Sequence, residues 1–224
     1  MREKRVIITG ATGMVGGCAL RTCLKNPDVS LVTAIGRSRT GINDARLREV
    51  VVDDFTDYSA LTGSLKNQDA ALYCLGVYTG AVSDDLFRCI TVDFTLAFAK
   101  ALHRVSPQAA FCFLSGQGAD QIQQSRMAFA RYKGATEKAL LQIGFHRVHF
   151  FRPGYIYPVT PRKEPNLMYT IFRFLYPVLR RIYPNIGISS EDLAAAMVHA
   201  GLYGTGENKN PVLENRDICA MKGL

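Results

Sequence analysis

The strongest constraint on this chain lies at its opening. Residues 6 to 16 read Val-Ile-Ile-Thr-Gly-Ala-Thr-Gly-Met-Val-Gly, an apolar strand run that breaks into glycines at 10, 13 and 16. A helical apolar pattern follows at Val15, Ala19, Leu20, Cys23 and Leu24. Strand, glycine turn and helix therefore come in the order that a dinucleotide site requires. Gly10 permits the sharp turn out of the strand, Gly13 lets backbone approach a pyrophosphate, and Gly16 lets the helix pack closely on the sheet. Thr12, Gly13, Met14 and Val15 carry the N–H groups that face the phosphates, with the positive end of the helix dipole behind them.

The same alternation continues along the chain. Strands are predicted at 4–9, Leu31–Ile35, Arg48–Val52, Ala70–Leu75, Ala109–Leu114 and His146–Phe151, the third, fourth and fifth each apolar enough to be buried on both faces. Ser83-Asp84-Asp85 reads as the start of a long helix through His103, residues 122 to 142 as another, and Ser189 or Ser190 as the start of the last. Strands alternating with helices imply right-handed crossovers and an α/β fold, a Rossmann-type doubly wound parallel sheet, with ligand at the carboxyl ends of the strands. The 224 residues suit one such domain over 1–224, with a small C-terminal subdomain in which residues 154–188 form a substrate-side or lid region.

Six cysteines form no C-x-x-C pair, so buried free thiols and no metal site are expected. The opening Met-Arg-Glu-Lys-Arg runs straight into the first strand, and a cytoplasmic location is the expectation. The net charge of +8 is concentrated between residues 131 and 183, which favours anionic ligands or surfaces. No nucleic-acid motif accompanies it, so no nucleic acid is expected. Residues 167–183 mix large apolar side chains with Arg173, Arg180 and Arg181, too short and interrupted to span a bilayer. They fit a packed helix pair, a lid over a small-molecule substrate, or contact with an anionic membrane surface.

The end of the second strand bears on the choice of cofactor. An NAD site places a carboxylate there, but this chain has Ile35-Gly36-Arg37-Ser38-Arg39. Arg37 with Ser38, and Arg39 beside them, would clamp a 2′-phosphate, so NADP(H) is the expected form. Asp54 is expected to accept from the adenine amino group, with the Phe55 backbone beside the ring. Leu75 and Gly76, where the fourth strand ends, would pass close to the cofactor riboses.

With these segments in place the chain resembles the short-chain dehydrogenase/reductase superfamily in its atypical and extended branch. Further blocks resemble the Tat-interacting oxidoreductase-like group within it: Leu72–Gly76, Val92–Phe94, Phe113–Asp120, Lys133-Gly134 with Glu137, Phe151–Gly154 and Leu213–Asn215. The resemblance implies a single Rossmann domain, a small C-terminal subdomain and NADPH binding, with Pro153, Tyr155 and Ile156 bordering the nicotinamide. It also implies a Ser at the end of strand five and a Tyr-x-x-x-Lys pair, in which the Lys lowers the Tyr pKa and holds the ribose. Ser115 and Lys133 match, but the Tyr position holds Phe129, and Gly116 stands where a second serine is frequent. Tyr132 is the nearest phenol, about 100° from Lys133 around a helix, with Tyr78 and Tyr155 as weaker candidates. Two functions stay open: an NADPH-dependent reductase of a small apolar carbonyl or quinone-like substrate, and a non-catalytic NADPH-binding regulator that acts on a protein partner.

Overall fold

The computed structural model describes residues 3–159, 181 and 185–223. The main sheet is parallel throughout, in the order β3-β2-β1-β4-β5-β6-β9. Its strands are β1 (Lys4–Thr9), β2 (Val29–Gly36), β3 (Leu47–Val51), β4 (Ala70–Tyr73), β5 (Ala110–Leu114), β6 (Arg147–Arg152) and β9 (Val212–Glu214). The order reverses direction between β1 and β4, which opens a crevice at their carboxyl ends. A separate pair, β7 (Tyr155–Tyr157) with β8 (Gly187–Ser189), lies beyond β6.

Because side chains alternate along a strand, each strand feeds two cores. Val6, Ile8, Val32, Leu72, Cys112 and Phe151 face α1 (Met14–Lys25) and α6 (Ser190–Tyr203). Ile7, Ile35, Tyr73, Phe111, Phe113 and Phe150 face α4 (Phe94–Val105) and α5 (Ala128–Ile143), with Leu65 of the short α2 (Thr62–Leu65) in the same core. This is the doubly wound sheet that the strand–helix alternation predicted.

Several elements differ from the sequence expectation. β3 is an edge strand, with Val51 50% exposed, so it is not buried on both faces. The long helix from Asp84 is interrupted: α3 (Asp84–Arg88) passes through a π turn at Cys89–Asp93 into α4, with Ser83 Oγ accepting from the Leu86 N–H at 3.4 Å as its cap. The helix predicted from residue 122 starts only at Ala128. Asp120 explains the delay, since its carboxylate accepts the N–H groups of Ile122, Gln124 and Ser125 at 2.7 to 3.0 Å and holds that stretch as a turn.

α6 packs against α1 in the main layer. β9 was not foreseen; it adds a seventh strand beside β6 and leads into α7 (Asn215–Ala220). The lid expected over 154–188 and the basic aromatic stretch 167–183 lie mostly outside the described residues. Among the described residues no helix is long and apolar enough to cross a membrane, and no His/Cys/Asp/Glu group is placed to hold a metal.

Candidate active site

The glycine turn joins β1 to α1 as its sequence suggests. Gly10 sits at φ +72°, and a methyl group there would stand 2.8 Å from the Cys74 carbonyl oxygen. A side chain on Gly16 would overlap the Gly10 carbonyl. The Gly13 N–H donates to Gly10 O at 2.9 Å and closes the turn. α1 then begins with no side-chain cap and no carboxylate in its first turn, so nothing competes with a phosphate for its N–H groups. Thr12 and Gly13 are exposed, Met14 is half-buried, and Val15 is buried beneath them. This cradle fits a dinucleotide pyrophosphate.

Arg37 and Ser38 follow β2 and are both exposed. Arg39 leans toward Glu49 at 4.0 Å, whereas no carboxylate among the described residues pairs with Arg37. Asp54 is less open than expected, because its Oδ1 accepts from both the N–H and the hydroxyl of Thr56 at 2.7 Å. The Phe55 ring is buried and stacks on Phe94 at 5.5 Å, which leaves its backbone for any contact with adenine. Gly76 has open space where a side chain would stand.

Two adjoining cavities lie at the carboxyl ends of β1, β4 and β5. The inner one, about 240 Å³, runs from Gly13 past Gly76 to Lys133. The outer one, about 290 Å³, opens between Thr79, Gln117 and Pro158. Met14, Val77, Tyr78, Ser115, Phe129 and Ile156 line both. Pro153, Tyr155 and Ile156, around the β6–β7 turn, line the outer cavity.

The three residues assigned to chemistry have unequal standing. Lys133 is buried at the inner cavity; its Nζ donates to Leu114 O at 2.7 Å and lies 4.5 Å from the centre of the Phe113 ring. Burial pulls its pKa down to about 8, against the opposing field of Glu137. Ser115 borders both cavities, but its hydroxyl donates to Glu137 Oε1 at 2.6 Å. It presents lone pairs to a ligand, with its hydrogen already committed.

Tyr132 must be corrected. Its hydroxyl donates to Asp84 Oδ2 at 2.6 Å and its ring packs near Phe87, so it lines neither cavity. The helical offset from Lys133 turns it toward α3. Phe129 is the ring that faces the site, and a side chain on Gly116 would overlap its tip. The two departures from the family pattern are thus one packing event. Cys74 also lines the inner cavity, but burial pushes its thiol up to about 12, which keeps it protonated.

Sequence reasoning missed the support behind Ser115. Glu137 is fully buried and also accepts from Gln121 Nε2 at 2.8 Å and from Arg152 Nε and Nη2 at 2.9 and 2.5 Å. Arg152 reaches on to Glu214 at 3.0 Å. The available clue was spacing: Glu137 lies four residues after Lys133, on the same helical face.

A family model described as the NAD dependent epimerase/dehydratase family matches residues 6–127. The protein named fmp52, mitochondrial, of Aspergillus clavatus is 28% identical over 233 residues, covering 97% of this chain and 98% of that protein. Protein HTATIP2 of Rattus norvegicus is 30% identical over 156 residues, covering 69% of this chain and 63% of that protein. In fold, a UDP-N-acetylglucosamine 4-epimerase of Methanobrevibacter ruminantium matches with a TM-score of 0.69 at 18% identity, over 96% of this chain and 76% of that one. The expected cytoplasmic location is overturned by the fungal relatives, whose names place them in mitochondria.

Proposed function

The chain belongs to the NAD dependent epimerase/dehydratase family, within the short-chain dehydrogenase/reductase superfamily, and on that premise we propose an NADPH-dependent reductase of a small apolar carbonyl or quinone-like substrate. The observation that carries this reading is the uncapped glycine cradle with Arg37 beyond it and a largely apolar cavity at its far end. The α1 N–H groups would hold the pyrophosphate, and Arg37 with Ser38 the 2′-phosphate. Lys133 would hold the nicotinamide ribose, and the backbone of Pro153–Ile156 the carboxamide. Bound NADPH would supply a hydride equivalent from its nicotinamide ring. The chain's own contribution is to orient and to exclude water, with Phe129, Met14 and Ile156 as the apolar wall.

Titration calorimetry with NADPH and NADH tests the cofactor assignment. Wild type is expected to favour NADPH, and Arg37→Ala to lose roughly 10- to 100-fold for NADPH while NADH affinity holds, as for one or two charge-assisted hydrogen bonds. Equal affinity of wild type for both cofactors would remove the NADP assignment.

A second reading, a non-catalytic NADPH-binding regulator, is favoured by Phe129 at the proton-transfer position and by the commitment of the Ser115 hydrogen. Tight NADPH binding with no NADPH oxidation on any carbonyl or quinone would select it.

A further inference from the structure

A third cavity, of about 540 Å³, lies at the amino end of β6, the end opposite Pro153 and the glycine cradle. Phe145, Val148 and Pro211 give it an apolar side, and Arg147, His149 and Lys209 a basic one. Among the described residues that line it there is no carboxylate, and no described carboxylate pairs with Lys209. Glu207, in the loop between α6 and β9, is exposed and does not line it.

The fold places the basic groups one by one. Arg147 donates from Nη2 to Gly201 O at 3.3 Å and so matches the carbonyl end of α6, which would otherwise repel an anion. Its Nη1 lies 3.0 Å from where a side chain on Gly204 would begin, so the glycine there, at φ +86°, leaves room for the guanidinium. His149 is 6% exposed, and neither ring nitrogen has a hydrogen-bond partner among the described residues. Buried polar side chains are nearly always bonded, and this unbonded one borders a cavity. Burial and the Arg147 charge hold its pKa down at about 4, so the neutral ring carries one N–H to donate. An anion beside both groups would accept from each and offset the field of Arg147 on the ring.

The geometry points to a second ligand site here, for an organic oxyanion: a phosphate or carboxylate group held by Arg147, Lys209 and His149, on an apolar body lying against Phe145, Val148 and Pro211. The forked guanidinium suits either oxyanion. The site stands apart from the cofactor reading, since no described residue lines both this cavity and either of the two beside the glycine cradle.

Titration calorimetry of the full chain with phenyl phosphate and with benzoate, each with and without NADP⁺, tests the assignment. At least one is expected to bind under both conditions, the tighter naming the oxyanion, with inorganic phosphate and phenol each at least about 10-fold weaker. Lys209→Ala, in an exposed loop, is expected to weaken that binding by about 10-fold. The ring resonances of His149, assigned by their loss in His149→Phe, are expected to shift when the probe binds. Binding that NADP⁺ abolishes, that Lys209→Ala leaves unchanged, or that leaves the His149 resonances in place overturns the proposal, because the anion then sits elsewhere. So does equal binding of inorganic phosphate or phenol, and so does no binding of either probe.

Discussion

Gly116 and Phe129 make sense only as a pair. Each taken singly looks like a lost catalytic group; together they show a ring seated where a side chain on residue 116 would have to be. A coupling of this kind is measurable by a double-mutant cycle in chemical denaturation. Gly116→Ser is expected to cost about 1–3 kcal/mol by overpacking against the Phe129 ring. In a Phe129→Ala background the same change is expected to cost little, giving an interaction energy of about 1 kcal/mol or more. Additive effects would mean that the ring and the glycine tolerate each other's replacement independently.

Among the elements, α5 and β6 are joined by charge as well as by apolar packing. Glu137 on α5 has no exposed surface, and Arg152 at the end of β6 satisfies both its oxygens before reaching Glu214 on β9. Arg152→Met leaves the Glu137 charge buried with hydrogen bonds, among the described residues, from Ser115 and Gln121 alone and with Lys133 as the nearby cation. The expected loss is about 3–5 kcal/mol, or a fall of roughly 10 °C in Tm for a domain of this size. Scanning calorimetry checks this, and the double variant Glu137→Gln/Arg152→Met is expected to recover part of the loss. The boundary of α5 carries a lesson of the same scale. Residues 122–127 have helix-compatible side chains, but three N–H groups in the stretch 122–125 are taken by one carboxylate, Asp120.

Across the whole molecule, the sheet divides two apolar cores and carries a polar side chain into one of them. His149 lies on the face of β6 that also carries Phe151, beside Cys112 in register on β5, and both ring nitrogens are buried without a hydrogen-bond partner among the described residues. Burial, aided by Arg147, pulls its pKa down to about 4. A depressed histidine pKa means that the unfolded chain binds more protons between about pH 6.5 and 4. Stability therefore falls as pH drops through that window, by up to about 3 kcal/mol from this residue. Urea unfolding at pH 7 and pH 4 is expected to show His149→Phe spared that share of the loss, while the carboxylate contribution common to both proteins remains.

The sequence by itself determined the parallel sheet and its cofactor cradle, because both rest on local rules. Continuous apolar runs make buried strands, and glycine spacing sets a turn that larger residues cannot enter. It also located Lys133, Ser115 and the substitution at Phe129. Only the tertiary structure decided where the protons lie. That Tyr132 turns to Asp84, and that Ser115 gives its hydrogen to Glu137, depends on partners 48 and 22 residues away. The same holds for β9, three residues that become a strand only because β6 offers an edge. Side-chain direction is set by which neighbours the fold brings within about 3 Å, and no local pattern encodes that.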